Sequence, residues 1–262
     1  MLPHYSPYKV AENFRMLEAF HPNRIDLGIG NTVGTPIVNQ ALNENKERKL
    51  SYEQSIDDLT KYLTDKVDEA HRFSGIRANP VISTVPHLSV LSTSVRRAQM
   101  AAELGIGYTL GIFPLKSERM YDLAVHATKT YREAFKPSRF LTKPLVSIAP
   151  FVVIAETNEK AEEYAEALDF WLLGLDNFSY SKQFPTIETA REYTYSKNER
   201  ETIAANRLGM VVGSAESVKK QLDQLIEEFG ADEVLCIPLM PSIQARKKGL
   251  ELLASVFKLK CI

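Results

Sequence analysis

Cysteine is nearly absent from this chain: two thiols in 262 residues. That excludes a disulfide framework and fits a reducing compartment, the cytoplasm. No apolar run approaches the roughly 20 residues that a membrane-spanning helix needs. The longest, Ile148 to Ala155, is interrupted by Pro150. Net charge is also lacking: 32 Lys and Arg against 33 Asp and Glu leave −1, with no basic cluster. Nucleic acid and anionic membrane are therefore not expected as partners. The first residues carry two prolines and no apolar core of a signal peptide. No two of the five histidines have zinc-ligand spacing, so no metal site is expected. A Walker loop, a Gly-x-Ser-x-Gly elbow and a Cys-x-x-Cys pair are likewise missing. Gly28-Ile29-Gly30 with Gly34 has the wrong spacing for a dinucleotide loop, and no acidic residue follows at the end of a second strand.

What is present alternates between strands and helices. Pro7–Phe20 reads as a helix with Val10, Phe14 and Leu17 on its apolar face. Ile25–Gly30 is a short strand, followed by a polar loop to Leu50. Ser51-Tyr52-Glu53-Gln54 is a capping box that opens a helix expected to reach Phe73. Strands follow at 87–91, 108–113 and 145–155, with helices at 94–104, 118–135 and 157–173. Gly105 is placed to end the first of these helices in the left-handed conformation. Residues 174–208 form an irregular excursion of loops and short helices. A brief extended piece at 209–213, a helix from Ser214 to Phe229, a strand at 233–237 and a helix over 242–257 complete the chain. Cys236 and Trp171 read as core residues, and Glu162, Glu163, Glu166 and Lys160 as a solvated helix face. Strands that are apolar on both faces and lie between helices imply a parallel sheet covered by helices. About five such strands are legible, where a closed α/β barrel has eight.

Several stretches carry a family resemblance. They are Leu2-Pro3-His4-Tyr5-Ser6-Pro7 with Val10-Ala11-Glu12, Pro22 to Gly30, Leu91-Ser92-Thr93-Ser94 with Ala101 to Gly105, and Ala155-Glu156-Thr157. Val211-Val212-Gly213-Ser214 and Gly230-Ala231-Asp232-Glu233 complete the set. In order and spacing the chain resembles the bacterial-luciferase-like flavin monooxygenases. The resemblance implies one domain over residues 1–262: a TIM-like (β/α)8 barrel that here lacks roughly its first three strands, with an insertion near residues 174–208. It implies reduced FMN as cosubstrate, oxygen insertion through a flavin hydroperoxide, a separate flavin reductase, a small organic substrate and pairing as a homodimer. The family's catalytic histidine comes from the first strands, so no catalytic residue is assigned here. His4 is the one histidine at a strand end facing the expected site, and it reads more simply as an exposed loop residue. The substrate-facing loops would be Asn31 to Lys49 and Gly174 to Arg207.

Asn31, Thr93, Ser94 and Arg97 are the cofactor-binding candidates. Thr93 and Ser94 offer hydroxyls just before a helix whose first N–H groups attract anions, and Arg97 adds charge in its first turn. As residues alone, Ser94 is an ordinary cap and Arg97 a solvated side chain. Asn31 stands where the family commonly places a phosphate-clamping arginine, so weak flavin binding is expected. Two other readings stay open. One is a non-enzymatic, flavin-binding remnant that self-associates through unpaired strand edges. The other is an unrelated phosphate-binding barrel enzyme.

Overall fold

Helix and strand boundaries follow local chemistry closely in the computed structural model, which describes residues 1–32, 34–44, 50–174 and 184–259. The chain divides into two compact units, one formed by Met1–Ser92, Arg96–Tyr108 and Tyr131–Leu145, the other by Thr93–Val95, Thr109–Thr130 and Val146–Ile262.

The first unit opens with a 3-10 turn, Leu2–His4, where the sequence suggests the end of a strand. The Leu2 amide donates to the Gly30 carbonyl at 3.1 Å, which ties this turn to the end of strand β1 (Asp26–Ile29). Strand β2 (His87–Leu91) runs parallel to β1, with Asp26 opposite His87 and Ile29 opposite Val90. Helix α1 (Pro7–Phe20) starts with Pro at its first position, as expected for a residue without an amide proton. Its buried face is Pro7, Ala11, Arg15 and Glu18, while Leu17 and Phe20 are exposed. The expected apolar face, Val10, Phe14 and Leu17, lies about a quarter turn away, with Val10 and Phe14 half-buried and Leu17 exposed. The shift has a physical cause: Arg15 and Glu18 bond backbone groups that no apolar side chain could satisfy, the buried Tyr62 carbonyl among them. Arg15 donates to the carbonyls of Tyr62 and Pro80, each at 2.8 Å, and Glu18 accepts the Asn23 amide at 2.7 Å.

Two helices follow β1. Helix α2 (Pro36–Leu42) lies inside the expected polar loop, capped by Thr35 with Pro36 at its first position. Helix α3 (Tyr52–Thr64) begins at the expected capping box, with the Ser51 and Gln54 side chains bonded reciprocally to backbone amides. It stops nine residues before Phe73, the expected end, because Asp65 turns into the left-handed region at φ 57°. There Asp65 receives the guanidinium groups of Arg15 and Arg77. Helix α4 (Val95–Leu104) ends at Gly105, φ 64°, as expected. Strand β3 (Gly107–Gly111) and helix α5 (Glu118–Ala134) come next. Tyr131 closes the first unit's core: its ring stacks on Tyr108 at 5.6 Å and its hydroxyl donates to the Ile106 carbonyl.

In the second unit the apolar stretch 145–155 is two strands, β4 (Val146–Ala149) and β5 (Phe151–Ala155). Pro150 separates them because it has no amide proton for the ladder. Helix α6 (Asn158–Leu172), capped by Thr157, is followed by α7 (Ile187–Glu192) and α8 (Lys197–Arg207). These two are the short helices expected in the excursion, of which residues 175–183 lie outside the described part. Strand β6 (Met210–Ser214) leads into α9 (Ala215–Phe229), which Ser214 caps and Gly230 ends at φ 55°. The last expected strand also divides, into β7 (Glu233–Val234) and β8 (Ile237–Pro238), before α10 (Ile243–Val256). β7 pairs in parallel with β4, whereas β8 and β6 flank β5, also in parallel. Val152, Val153, Ile154, Leu168, Val211 and Leu222 form the core of this unit, with Trp171 and Cys236 packed against it. Burial pushes the Cys236 thiol up, as expected of a core cysteine; Cys261 lies outside the described residues.

The charged face of α6 is less free than its sequence suggests. Glu166 is paired with Arg191 of α7, and Arg207 of α8 holds Asp169 through bonds of 2.8–3.1 Å and Glu162 at 3.2 Å. Helices α7 and α8 are thus each fastened to α6 by an arginine.

Candidate functional site

Parallel pairing places the carboxyl ends of β1 and β2 side by side. Asn31 follows two residues after Ile29 of β1, and Arg97 lies in the first turn of α4, which follows β2. Asn31 is exposed and Gly34, three residues on, takes φ 68°, a conformation suited to glycine. Thr93 is half-buried and Ser94 exposed; they are the two residues just before α4. Their hydroxyls and the exposed Asn31 amide are neutral donors of the kind that hold phosphate oxygens.

Arg97 is differently engaged from the expectation of a solvated or phosphate-directed side chain. Its side chain is 17% exposed, and its Nη1 lies 2.7 Å from Glu53 Oε1. Its guanidinium carbon sits 4.6 Å from the centre of the Tyr52 ring, a cation–π contact. The same Glu53 oxygen accepts from Arg96 Nη2 at 2.7 Å. Hydrogen bonding to its own amide, then the charges of Arg97 and Arg96, hold the Glu53 carboxyl below its usual range. Beneath Arg97, burial pushes the Tyr52 phenol up to about 12, and its oxygen has no hydrogen-bond partner. Asn31 and Arg97 belong to the first compact unit and Thr93 and Ser94 to the second, and Arg97, like Arg96, already faces the Glu53 carboxylate.

His4 departs from its expected exposure. It is buried, and its Nδ1 lies 3.3 Å from the Asn43 amide nitrogen. That nitrogen also donates to Asn39 through both its carbonyl and its side-chain oxygen. The two Asn39 contacts, at 2.8 and 3.0 Å, are the shorter ones and match the two protons that an amide NH2 carries, so His4 lies against this pair as a third, longer contact. The Asn43 side-chain oxygen is buried without a partner.

A cleft of 570 Å³ runs beside α1 and α3, lined by Leu2, Pro3, Tyr5, Tyr8, Tyr62 and Phe73 among others. Asp58 sits in its wall, held by both Arg72 nitrogens and by His71 Nε2 at 3.0 Å. The Phe73 amide donates to His71 Nδ1, which leaves the proton on Nε2 facing Asp58. Burial opposes ionisation of Asp58, but the bonds from Arg72 and His71 outweigh it, and the carboxyl stays below its usual range. Sequence reasoning missed this cluster, because Asp58 and His71 are thirteen residues apart with no motif between them. Among the described residues no group of His, Cys, Asp and Glu could hold a metal ion, and no helix is long and apolar enough to cross a membrane.

With this geometry in view, the comparisons are specific. Residues 1–233 match the model of the luciferase-like monooxygenase family, and the chain belongs to that family. It is 40% identical to the uncharacterized protein YwcH of Bacillus subtilis, covering 98% of this chain and 76% of YwcH. It is 28% identical to the N-acetyl-S-alkylcysteine monooxygenase of the same organism, over 93% of this chain and 72% of that enzyme. Among solved structures, apo-MsnO8 superposes with a TM-score of 0.83 at 28% identity, over all of this chain and 77% of that one. The oxygenating constituent of 3,6-diketocamphane monooxygenase from Pseudomonas putida, solved with FMN, gives 0.64 at 14% identity, over all of this chain and 78% of that one, a likeness of fold. The chain thus spans about three quarters of the length of these proteins.

Proposed function

We propose that this chain is a flavin-dependent monooxygenase that uses reduced FMN and O2 on a small organic substrate. The carrying observation is family membership across residues 1–233, together with Asn31 and Arg97 at the carboxyl ends of two adjacent parallel strands. In open and closed parallel α/β folds, ligands bind at that end. In this reading residues 1–262 are one domain, part of a TIM-like barrel, working in the cytoplasm as a homodimer supplied by a separate flavin reductase. Reduced flavin supplies the two electrons. One oxygen atom enters the substrate, the other leaves as water, and the flavin returns oxidised. The residues that would hold the flavin phosphate are Asn31, after β1, and Arg97, in the first turn of α4, with Thr93 and Ser94 as further candidates just before that helix. The loops at Asn31 to Lys49 and Gly174 to Arg207 face the substrate, and the described parts of both include helix rather than loop alone.

The reading is tested by flavin binding and by turnover. Wild type is expected to bind FMN weakly, because an amide at residue 31 cannot make the bidentate, charge-assisted bonds of a guanidinium, and a sub-micromolar Kd would count against this. Asn31→Arg adds such a bond, worth about 1.5–3 kcal/mol, and so tightens FMN roughly tenfold to a hundredfold. Fluorescence titration reads this directly. With an added reductase, oxygen uptake beyond that of free reduced flavin is expected once a substrate is supplied. An Asn31→Arg variant that folds normally and leaves FMN affinity unchanged would remove residue 31 from the site.

A further inference from the structure

Resting on the proposed flavin-phosphate site, we infer that Glu53 competes with the ligand's phosphate for the Arg97 guanidinium, and thereby lowers the preference of this protein for phosphorylated over unphosphorylated flavin. Three observations carry this. Arg97 is largely enclosed, so its charge is screened by solvent far less than that of Arg96, whose side chain is 79% exposed. One face of its guanidinium is covered by the Tyr52 ring, and Nη1 is committed to Glu53. Only the Nε and Nη2 edge is left for a second anion. A phosphate reaching that edge comes close to the Glu53 carboxylate and is repelled by it.

The ion pair also has a local origin that is independent of any ligand. Glu53 is in the first turn of α3, where an acidic side chain is favoured by the helix dipole. Its ionised state is therefore fixed before a ligand arrives. The net charge offered by Glu53, Arg96 and Arg97 together is +1, so the cation expected at Arg97 is partly cancelled by a carboxylate from another helix.

The experiment is a pair of titrations, FMN and riboflavin, on wild type and Glu53→Gln. The amide keeps the shape and the capacity to accept from Arg97 while removing the charge. FMN affinity is expected to rise about tenfold in Glu53→Gln, the scale of one charge removed at a few ångströms in a partly shielded site, with riboflavin affinity unchanged. In Glu53→Gln/Arg97→Met the gain should vanish, since the contested cation is gone. FMN bound equally well or more weakly by Glu53→Gln overturns the inference, and weaker binding would make Glu53 a positioning residue for Arg97. If wild type prefers FMN and Glu53→Gln does not alter that preference, the flavin site stands and the inference falls. If neither flavin binds either protein, both fall together. Far-ultraviolet circular dichroism on each variant separates these results from loss of fold.

Discussion

Replacing Arg15 with Met is expected to destabilise the protein by about 3 kcal/mol, read as a lower midpoint in urea unfolding. Arg15 has no exposed side-chain surface and serves three partners: the Tyr62 carbonyl, the Pro80 carbonyl and the Asp65 carboxylate. Methionine fills much of the same volume, so the loss is of hydrogen bonds and charge rather than packing. Breaking a buried ion pair costs about 3–5 kcal/mol when the survivor is stranded. Here Asp65 keeps Arg77 and some exposure to water, which places the loss at the lower end. The two carbonyls carry most of it. A change below about 1 kcal/mol would mean that water replaces the guanidinium without cost.

The same pair gives a pH dependence with a definite sign. Hydrogen bonding from Arg15, helped by Arg77, holds the Asp65 carboxyl below its usual range against a smaller opposing effect of burial. A carboxyl whose folded pKa is depressed binds fewer protons when folded than when unfolded. Its stabilisation is fully present above the unfolded value, about 3.9, and is lost as pH falls through the folded value. Wild type should therefore lose stability more steeply than Arg15→Met on acidification below about pH 4. Parallel curves would show that the pair is not linked to proton binding.

Gly105→Ala is the second large effect, also about 3 kcal/mol. At φ 64° an L side chain costs about 1–2 kcal/mol. The added Cβ would also lie 2.4 Å from the Lys136 carbonyl oxygen and 2.5 Å from Ser138 Cβ. The obstruction is backbone rather than the tip of a flexible side chain, so the segment must move. That segment is pinned: the Lys136 amide donates to Ala102 and the Ser138 hydroxyl donates to the Gly105 carbonyl. Overpacking of this kind adds about 1–3 kcal/mol. Thermal unfolding of the variant measures the sum. A shift no larger than the strain alone would show that residues 136–138 yield freely.

Both predictions rest on features that differ in how far the sequence announces them. Gly105 after an apolar helical pattern is a local signal, as are the caps at Ser51, Thr157, Ser214 and Ser242, and each element begins or ends where these residues place it. Helix α2 was equally announced, by Thr35 and Pro36, but the polarity of its surroundings concealed it. The end of α3 was not legible, because the left-handed turn at Asp65 is held by Arg15, fifty residues earlier. The division of the strand at 145–155 was visible in Pro150, whereas that of 233–238 follows from which neighbour each half pairs with. At the candidate site, Asn31, Thr93, Ser94 and Arg97 were legible as types at spacings. The partner that changes the meaning of Arg97 was not, since Glu53 reaches it only through the packing of the fold.

The central claim is that the phosphate of a reduced flavin sits at the carboxyl ends of β1 and β2. Hydrogen exchange of the chain, with and without saturating reduced FMN under anaerobic conditions, tests it most directly. The account predicts slowed exchange confined to the amides around residues 30–35 and 92–98. Protection concentrated instead along the cleft beside α1 and α3, or none anywhere at saturation, would contradict it.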